Sequence, residues 1–178
     1  SDSSIFRAVK NAFASEKSEQ VIKFYTVGIG SAGSIYPDHA KTASKMNSSY
    51  GVPTTTLDDL AKQFDVIPDL VKIDTEGAET LVLNGTKSVA SHRKTQFLVE
   101  MHSNIELPMI RNATKVIQWC EENMYQAWYL KEKKLLTDPG QIAHRGRCHL
   151  LLLPDDIAFP EYLLPLDQSA SLEDVNVL

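Results

Sequence analysis

Cysteine is scarce in this sequence: the 178 residues include only Cys120 and Cys148, and neither lies in a CxxC pair or another metal-type spacing. This usage argues against a cysteine-based metal site and indicates a reducing compartment, in which both thiols are small buried hydrophobic side chains. No hydrophobic run reaches membrane-spanning length, and the first residues do not resemble a signal peptide. We therefore expect a cytoplasmic protein without a membrane span.

An excess of basic charge is also absent, since 18 lysines and arginines stand against 23 aspartates and glutamates, for a formal net charge of −5. Proteins that bind nucleic acids usually carry a basic patch. The one dense basic cluster, residues 131–134, is diluted by Glu132 and is typical of a solvated loop. We therefore predict no nucleic-acid partner.

The length predicts a single domain over residues 1–178, with a proline- and aspartate-rich tail over 155–178 that wraps the surface. The chain begins with serine rather than methionine, which is consistent with a processed product or a fragment.

An alternation of strand-like and helix-like segments predicts an α/β protein. The residue patterns predict strands over 21–29, 70–73, 96–101, 127–130 and 149–153, and helices over 4–15, from 56, from about 76 and over 112–124. Glycine, serine, asparagine and proline throughout 30–54 predict a long loop. The alternation up to residue 124 predicts a parallel sheet with crossover helices, and the last two strands, with no helix between them, predict an antiparallel edge.

The most informative stretch runs from Asp69 to Glu79, where a short apolar strand ends in the carboxylates of Asp74, Glu76 and Glu79 around Gly77. Open α/β sheets bind ligands outside the carboxyl ends of their strands, so these acids are candidate site residues. The alternative interpretation is an acidic helix start, in which Glu76 and Glu79 only complement the helix dipole.

A literal G-x-G-x-x-G occurs at residues 28–33, directly after a predicted strand. A dinucleotide site needs a helix that opens at this motif and an acid about 20 residues further on, at the end of a second strand. Pro37 interrupts any such helix, and no strand is predicted at that distance. A nicotinamide-dependent oxidoreductase is therefore disfavoured, and a glycine-rich turn at a strand end is the favoured interpretation.

The acidic run has neighbours that belong to one pattern. Thr56-Leu57-Asp58 begins a helix before it, Leu83-Asn84-Gly85 follows it, Val99-Glu100-Met101-His102 ends the next strand, and the apolar strand 150–154 ends in proline. Together, over about residues 4–154, these segments resemble the FkbM family of S-adenosylmethionine-dependent methyltransferases. The stretch 69–85 is the most specific part of the resemblance.

The resemblance implies a Rossmann-like methyltransferase sheet of strand order 3-2-1-4-5-7-6, mostly parallel with an antiparallel last strand. Family members begin with a strand and a glycine-rich loop for the methionine part of the cofactor, followed by a strand whose final acid holds the ribose. Neither is present here, so we expect an N-terminally incomplete domain that lacks strands 1 and 2. Strand 3, residues 21–29, would then pair with strand 4 or with another chain. S-adenosylmethionine binding is expected only if the missing N-terminal segment is supplied.

The resemblance also implies methyl transfer to a hydroxyl of a sugar, a glycan or a polyketide-like acceptor. A hydroxyl is a poor nucleophile until a base takes its proton. Glu76 and His102 are the candidate bases, and histidine has an ordinary pKa suited to that role. We expect Asp74, at the tip of strand 4, to orient the cofactor or the acceptor, and Glu100 to orient His102 or to bind the acceptor.

Gly28 and Ile29, at the end of strand 3, are expected to border the adenine of the cofactor. The residue types of Asp74, Glu76 and His102 suit Mg²⁺, Mn²⁺ or Fe²⁺, but no metal is assigned because helix-terminus explanations already account for the acids. The main alternative function is a non-catalytic, methyltransferase-like interaction domain that has lost cofactor binding. An unpaired strand edge favours association, so a homo-oligomer is an open expectation.

Overall fold

The computed structural model describes residues 13–27, 33–103, 105 and 107–166. Within these ranges the strands are β1 Phe13–Ala14, β2 Val21–Tyr25, β3 Ser49–Thr55, β4 Leu70–Ile73, β5 Gln96–His102, β6 Tyr125–Tyr129, β7 Lys134–Leu135 and β8 Arg147–Pro154. The helices are α1 Lys41–Lys45, α2 Leu57–Phe64, α3 Glu79–Asn84, α4 Lys87–Ser91 and α5 Met109–Asn123, with 3₁₀ turns at Pro139–Gln141 and Glu161–Leu163.

The described strands form two sheets. The smaller sheet has the order β1-β3-β2, in which β1 pairs parallel and β2 antiparallel with β3. The larger sheet has the order β4-β5-β8-β6-β7, in which β4 and β5 pair parallel and the remaining pairs are antiparallel. The protein is therefore a mixed α/β fold with parallel strand pairs in both sheets.

The main core lies on one face of the larger sheet. Strand side chains alternate between faces, so β5 directs Phe97, Val99 and Met101, all fully buried, to the same side. The ring of Phe97 meets those of Trp119 and Tyr125 at centroid distances of 5.4 and 5.7 Å. The opposite face of β5 is thereby left for its polar residues.

The aromatic core also joins helix α5 to helix α3. The Trp119 indole N–H donates to the Leu83 carbonyl oxygen at 2.8 Å, which satisfies a polar group that burial would otherwise leave unpaired. Gly85 follows α3 and has an ordinary negative φ of −90°. The position requires glycine for lack of space, because a Cβ there would lie 2.2 Å from the carbonyl oxygen of Ser15.

Residues 30–54 do not form the predicted long loop. The described part of this segment contains α1 and the seven-residue strand β3, which is the central strand of the smaller sheet. Gly51 and Pro53 are unfavourable in strands, so the composition indicated a loop, and pairing with β2 over Val21↔Pro53 to Tyr25↔Ser49 overrides that preference.

The predicted direct pairing of residues 21–29 with strand β4 is also wrong for the described residues, because β2 pairs with β3 instead. Most of the predicted helix 4–15 lies outside the described residues, and its last part, Phe13–Ala14, is strand β1. Parallel pairing is limited to β1–β3 and β4–β5 among the described strands. Within the described residues, the strand partner of β2 is therefore β3 and not β4.

The last two predicted strands do pair antiparallel, as β6 and β8, but β8 lies between β5 and β6 instead of at an edge. Its interior position explains its continuous run of four buried leucines, Leu150–Leu153. The segment between β6 and β8 is not only a loop, since it contributes β7 to the edge of the larger sheet.

Both cysteines are free and buried, as predicted. Burial raises the pKa of the Cys120 thiol to about 12 and that of the Cys148 thiol to about 11, so neither forms a reactive thiolate at neutral pH. Among the described residues, no helix combines the length and the apolar character needed to cross a membrane.

Candidate functional site

The candidate site lies where the parallel strands β4 and β5 end side by side. Their register pairs Ile73 with Val99, so Asp74 and Glu100 are the next residues of two adjacent strands. Glu100 and His102 are two apart in β5 and share the face opposite the apolar core. The predicted site residues Asp74, Glu100 and His102 therefore meet at one edge of the sheet.

The turn after β4 places Glu76 outside the following helix. Glu76 and Gly77 both have positive φ, 49° and 101° respectively, and α3 begins only at Glu79. The helix predicted to start at about Glu76 thus starts three residues later. Because Glu76 precedes the first helical turn and adopts a left-handed conformation that is rare for its residue type, complementing the helix dipole does not explain its position.

Glu79 has a different environment from an acid at an exposed helix start. Its side chain is completely buried, and its Oε1 accepts hydrogen bonds from the Gly77 backbone N–H at 2.8 Å and from His102 Nδ1 at 2.9 Å. Its Oε2 accepts from Asn112 Nδ2 at 3.2 Å, and the same Asn112 amide donates to the His102 carbonyl oxygen at 2.9 Å. Helix α5 thereby supports the histidine through Asn112.

The bond to Glu79 fixes the orientation of His102. An ionised carboxylate only accepts hydrogen bonds, so Nδ1 carries the proton and Nε2 faces the other acids. Burial lowers the pKa of His102, but the Glu79 hydrogen bond and the negative charges of Glu79, Glu76 and Glu100 outweigh it and raise the pKa above 6.5. The imidazole is therefore more basic than an ordinary histidine.

Glu76 lies between two histidines. Its Oε2 is 3.5 Å from His39 Nδ1 and 3.6 Å from His102 Nε2, and the two imidazole rings meet edge to face at 6.0 Å. The Glu76 backbone carbonyl accepts a hydrogen bond from Ser34 Oγ at 2.9 Å, which holds the turn from the side of the smaller sheet. An open cleft of about 390 Å³ begins at His39 and extends to Ile105.

Glu100 is surrounded by basic side chains. Its carboxylate oxygens lie 3.3 Å from Arg147 Nη1, 3.3 Å from His149 Nε2 and 3.9 Å from Lys72 Nζ. Lys72 also donates to Asp74 at 3.1 Å. The side chains of Lys72 and Arg147 are 56% and 68% exposed, so they are the mobile partners of a mostly buried acid.

Two features of the cluster are relevant to ligand binding. One donor atom each from Asp74, Glu100 and His102 lies within 4.8 Å of the others, which makes these three the candidate metal group among the described residues. The hydroxyl of Thr75, between Asp74 and Glu76, is buried and has no hydrogen-bond partner. Unpaired buried polar atoms are rare in native proteins and require an explanation.

The structure thus brings together the four residues that the sequence suggested as catalytic, Asp74, Glu76, Glu100 and His102. Gly28 and Ile29, expected to border the adenine, lie outside the described residues. Sequence reasoning missed Asn112 and His39 as members of the site. It offered Glu79 both as a candidate site residue and as a helix-start acid, but it did not predict the buried contacts of Glu79. The contacts of Glu79 with His102, of Asn112 with Glu79 and of His39 with Glu76 join residues 23 to 37 positions apart, so no local pattern marks them.

An α/β fold with carboxylates and a histidine at the carboxyl ends of adjacent parallel strands is the arrangement of an enzyme-type ligand site. Comparison with protein-family models matches residues 5–127, more than half of the chain, to the methyltransferase FkbM domain. The chain belongs to this family of methyltransferases. No curated protein and no solved structure matches the chain.

Proposed function

We propose that the protein is an S-adenosylmethionine-dependent O-methyltransferase that acts on a hydroxyl of a sugar, a glycan or a polyketide-like acceptor. The observation that carries the proposal is the cluster of Asp74, Glu76, Glu100 and His102 at adjacent strand ends in a chain of the FkbM methyltransferase family. We further propose one methyltransferase-like domain over residues 1–178, whose sheet lacks strands 1 and 2 of the family and whose tail wraps the surface.

The chemistry of the site suits the cofactor. When bound, S-adenosylmethionine supplies an electrophilic methyl group on a positively charged sulfonium. The carboxylates of Asp74, Glu76 and Glu100 give the site negative charge, and Thr75 offers an unpaired hydroxyl. We assign Asp74 and Thr75 to hold the cofactor at the end of β4, together with Gly28 and Ile29 at its adenine.

Proton removal from the acceptor hydroxyl is assigned to Glu76. Its side chain is 35% exposed, whereas the His102 side chain is 7% exposed, so Glu76 is the more accessible of the two candidate bases. His102 Nε2 and His39 Nδ1 lie beside the Glu76 carboxylate, at 3.6 and 3.5 Å from its Oε2. Glu100 binds the acceptor or the cationic side chains around it, which leaves Asp74 free for the cofactor.

The test is a methyl-transfer assay with methyl-labelled S-adenosylmethionine and a panel of hydroxyl acceptors, on this chain and on a version extended by any upstream coding sequence. We expect a methyl ether as the product. Glu76→Gln should lower kcat by about 10²–10⁴-fold, the usual contribution of a general base, with unchanged cofactor affinity. The exposed Glu122→Gln is the matched control.

Each result of this assay has a separate meaning. Cofactor binding without transfer to any hydroxyl would overturn the acceptor class. Full activity of Glu76→Gln would show that Glu76 is not the base, and His102 would then be assigned that role. Absence of both cofactor binding and transfer in the extended version would favour the non-catalytic interaction domain.

A further inference from the structure

We propose that Asp74, Glu100 and His102 bind one divalent first-row metal cation such as Mn²⁺ or Fe²⁺. One ligand atom from each residue lies within 4.8 Å of the other two, and the set combines one imidazole with two carboxylates. The three residues are not neighbours along the chain: Asp74 follows β4, whereas Glu100 and His102 lie in β5. The existence of the site does not depend on the proposed methyl transfer.

The orientation of His102 is the independent observation that indicates a ligand. Nε2 faces the carboxylates from a side chain that is 7% exposed, and its nearest acidic oxygens are at 3.6 and 3.7 Å, beyond a hydrogen bond. Nδ1 is bonded to the buried Glu79. Histidines that bind metals nearly always donate the other ring N–H to a carboxylate, a backbone carbonyl or water, and here the acceptor is a carboxylate.

Buried hydrogen bonds from neighbouring residues hold His102 ready for a cation. Glu79 is itself fixed by the Gly77 N–H and by Asn112, so the imidazole cannot turn without breaking several buried hydrogen bonds. Asp74, by contrast, is 36% exposed and can move. In octahedral coordination, ligand atoms about 2.1 Å from the ion are about 3 Å from one another. Binding therefore requires the ligand atoms of Asp74 and Glu100 to move closer to the rigid His102.

The cations now beside these acids would be replaced by the metal ion. Lys72 reaches both Asp74 and Glu100, and Arg147 reaches Glu100, but both basic side chains are more than half exposed. Exposed ion pairs of this kind contribute little stability and are easily exchanged. One imidazole and two carboxylates suit Mn²⁺, Fe²⁺ or Zn²⁺ better than the all-oxygen preference of Ca²⁺.

Glu76 is not part of the proposed ligand set. Its carboxylate contacts His39 as well as His102, and it remains available as the proton acceptor. This division of roles, in which His102 binds the cation while Glu76 takes the proton, rests on the proposed function. Asp74 and Glu100 each carry two carboxylate oxygens, so one oxygen binds the cation and the other keeps the role that the proposed function assigns to it. The cation site itself is tested without cofactor or acceptor.

The experiment is a titration of the metal-free protein with Mn²⁺, in which the electron paramagnetic resonance signal reports free Mn²⁺. We expect one Mn²⁺ per chain. Asp74→Asn and His102→Gln should each weaken binding by at least about tenfold, and Glu79→Gln by about 10–100-fold through its effect on the histidine. Lys72→Met should tighten binding severalfold, because it removes a competing cation. Asp69→Asn and His92→Gln are the matched controls and should bind like the unaltered protein.

The proposal would be overturned by no binding at millimolar Mn²⁺, or by affinities that Asp74→Asn and Lys72→Met leave unchanged. If circular dichroism shows that His102→Gln does not fold, Asp74→Asn and Lys72→Met decide the outcome, because Asp74 and Lys72 are both exposed. Mn²⁺ binding without methyl transfer would contradict only the proposed function. Methyl transfer with no Mn²⁺ binding would contradict only the cation site.

Discussion

At the scale of single residues, the buried carboxylate of Glu79 determines the geometry of the site. It receives the Gly77 N–H, His102 Nδ1 and the Asn112 amide, and it is completely buried. A buried carboxylate is tolerated only when it is well hydrogen-bonded. Removing any one donor should therefore affect both the stability of the fold and the position of His102.

Asn112→Ala is expected to lower the free energy of unfolding by about 1–3 kcal/mol, the usual cost of leaving buried acceptors unpaired. The side chain is fully buried and donates to both Glu79 and the His102 carbonyl. Urea denaturation monitored by circular dichroism measures the change. The exposed Lys115→Ala, on the same helix, is the control, and an equal effect in both variants would refute the role of Asn112.

The pKa of His102 should be higher than 6.5 in the metal-free protein and should fall in Glu79→Gln. Because the folded-state value is above the unfolded-state value, the protonated pair stabilises the fold fully below pH 6.5, and this contribution is lost as the pH rises through the folded-state pKa. Nuclear magnetic resonance titration of the imidazole protons measures both values. A pKa at or below 6.5 would contradict the arrangement.

The residues of the site show how far sequence reasoning extends. Asp74, Glu76, Glu100 and His102 follow from a local motif and from the resemblance to a family. Asn112 and His39 do not, because burial and tertiary packing create their contacts. Glu79 belongs to the same local motif as a candidate site acid, but its buried partners come from β5 and α5 and do not follow from the sequence.

At the scale of elements, the short helix α4 receives its N-terminal cap from another helix. Asp58, in the first turn of α2, accepts hydrogen bonds from the backbone N–H groups of Ser88 and Val89, both at 2.9 Å. The N-cap residue of α4, Thr86, makes no side-chain cap hydrogen bond. Asp58 therefore joins α2 to α4, while Thr56 caps α2 itself by accepting from the Asp59 N–H.

Asp58→Ala should cost about 0.5–2 kcal/mol of unfolding free energy, as other lost caps do. Asp58→Asn should cost less, because one side-chain oxygen remains as an acceptor. Chemical denaturation of both variants measures the order. Asp65→Asn is the control, since Asp65 ends α2 in a left-handed conformation that asparagine also accepts. Equal stability of Asp58→Ala and the control would exclude the cap.

The helices and strands that were predicted well are those in which the local residue pattern and the tertiary packing favour the same structure. The strand 70–73 and the start of α2 at Thr56 are examples. Strand β3 was missed because its Gly51 and Pro53 oppose the strand locally, and pairing with β1 and β2 in the folded chain stabilises it. The start of α3 was misplaced because the left-handed turn at Glu76 and Gly77 has no strong sequence signal.

At the scale of the whole molecule, the site is where the two sheets meet. Ser34 and His39, which follow β2 in the chain, contact Glu76 at the end of β4, and Gly85 accommodates the carbonyl of Ser15 behind β1. Strand β8 lies beyond the family match at residue 127, yet it separates β5 from β6 and completes the larger sheet. Strand β8 therefore joins the family segment and the following residues in one sheet.

The central claim is that the strand ends at Asp74 hold a methyltransferase cofactor. Isothermal titration of S-adenosylmethionine into the chain, extended by any upstream coding sequence, tests it most directly. The predicted result is one saturable site that Asp74→Asn weakens by at least about tenfold, the value of a lost charged hydrogen bond, and that the exposed Asp69→Asn leaves unchanged. No saturable binding, or the same affinity in Asp74→Asn, would contradict the account.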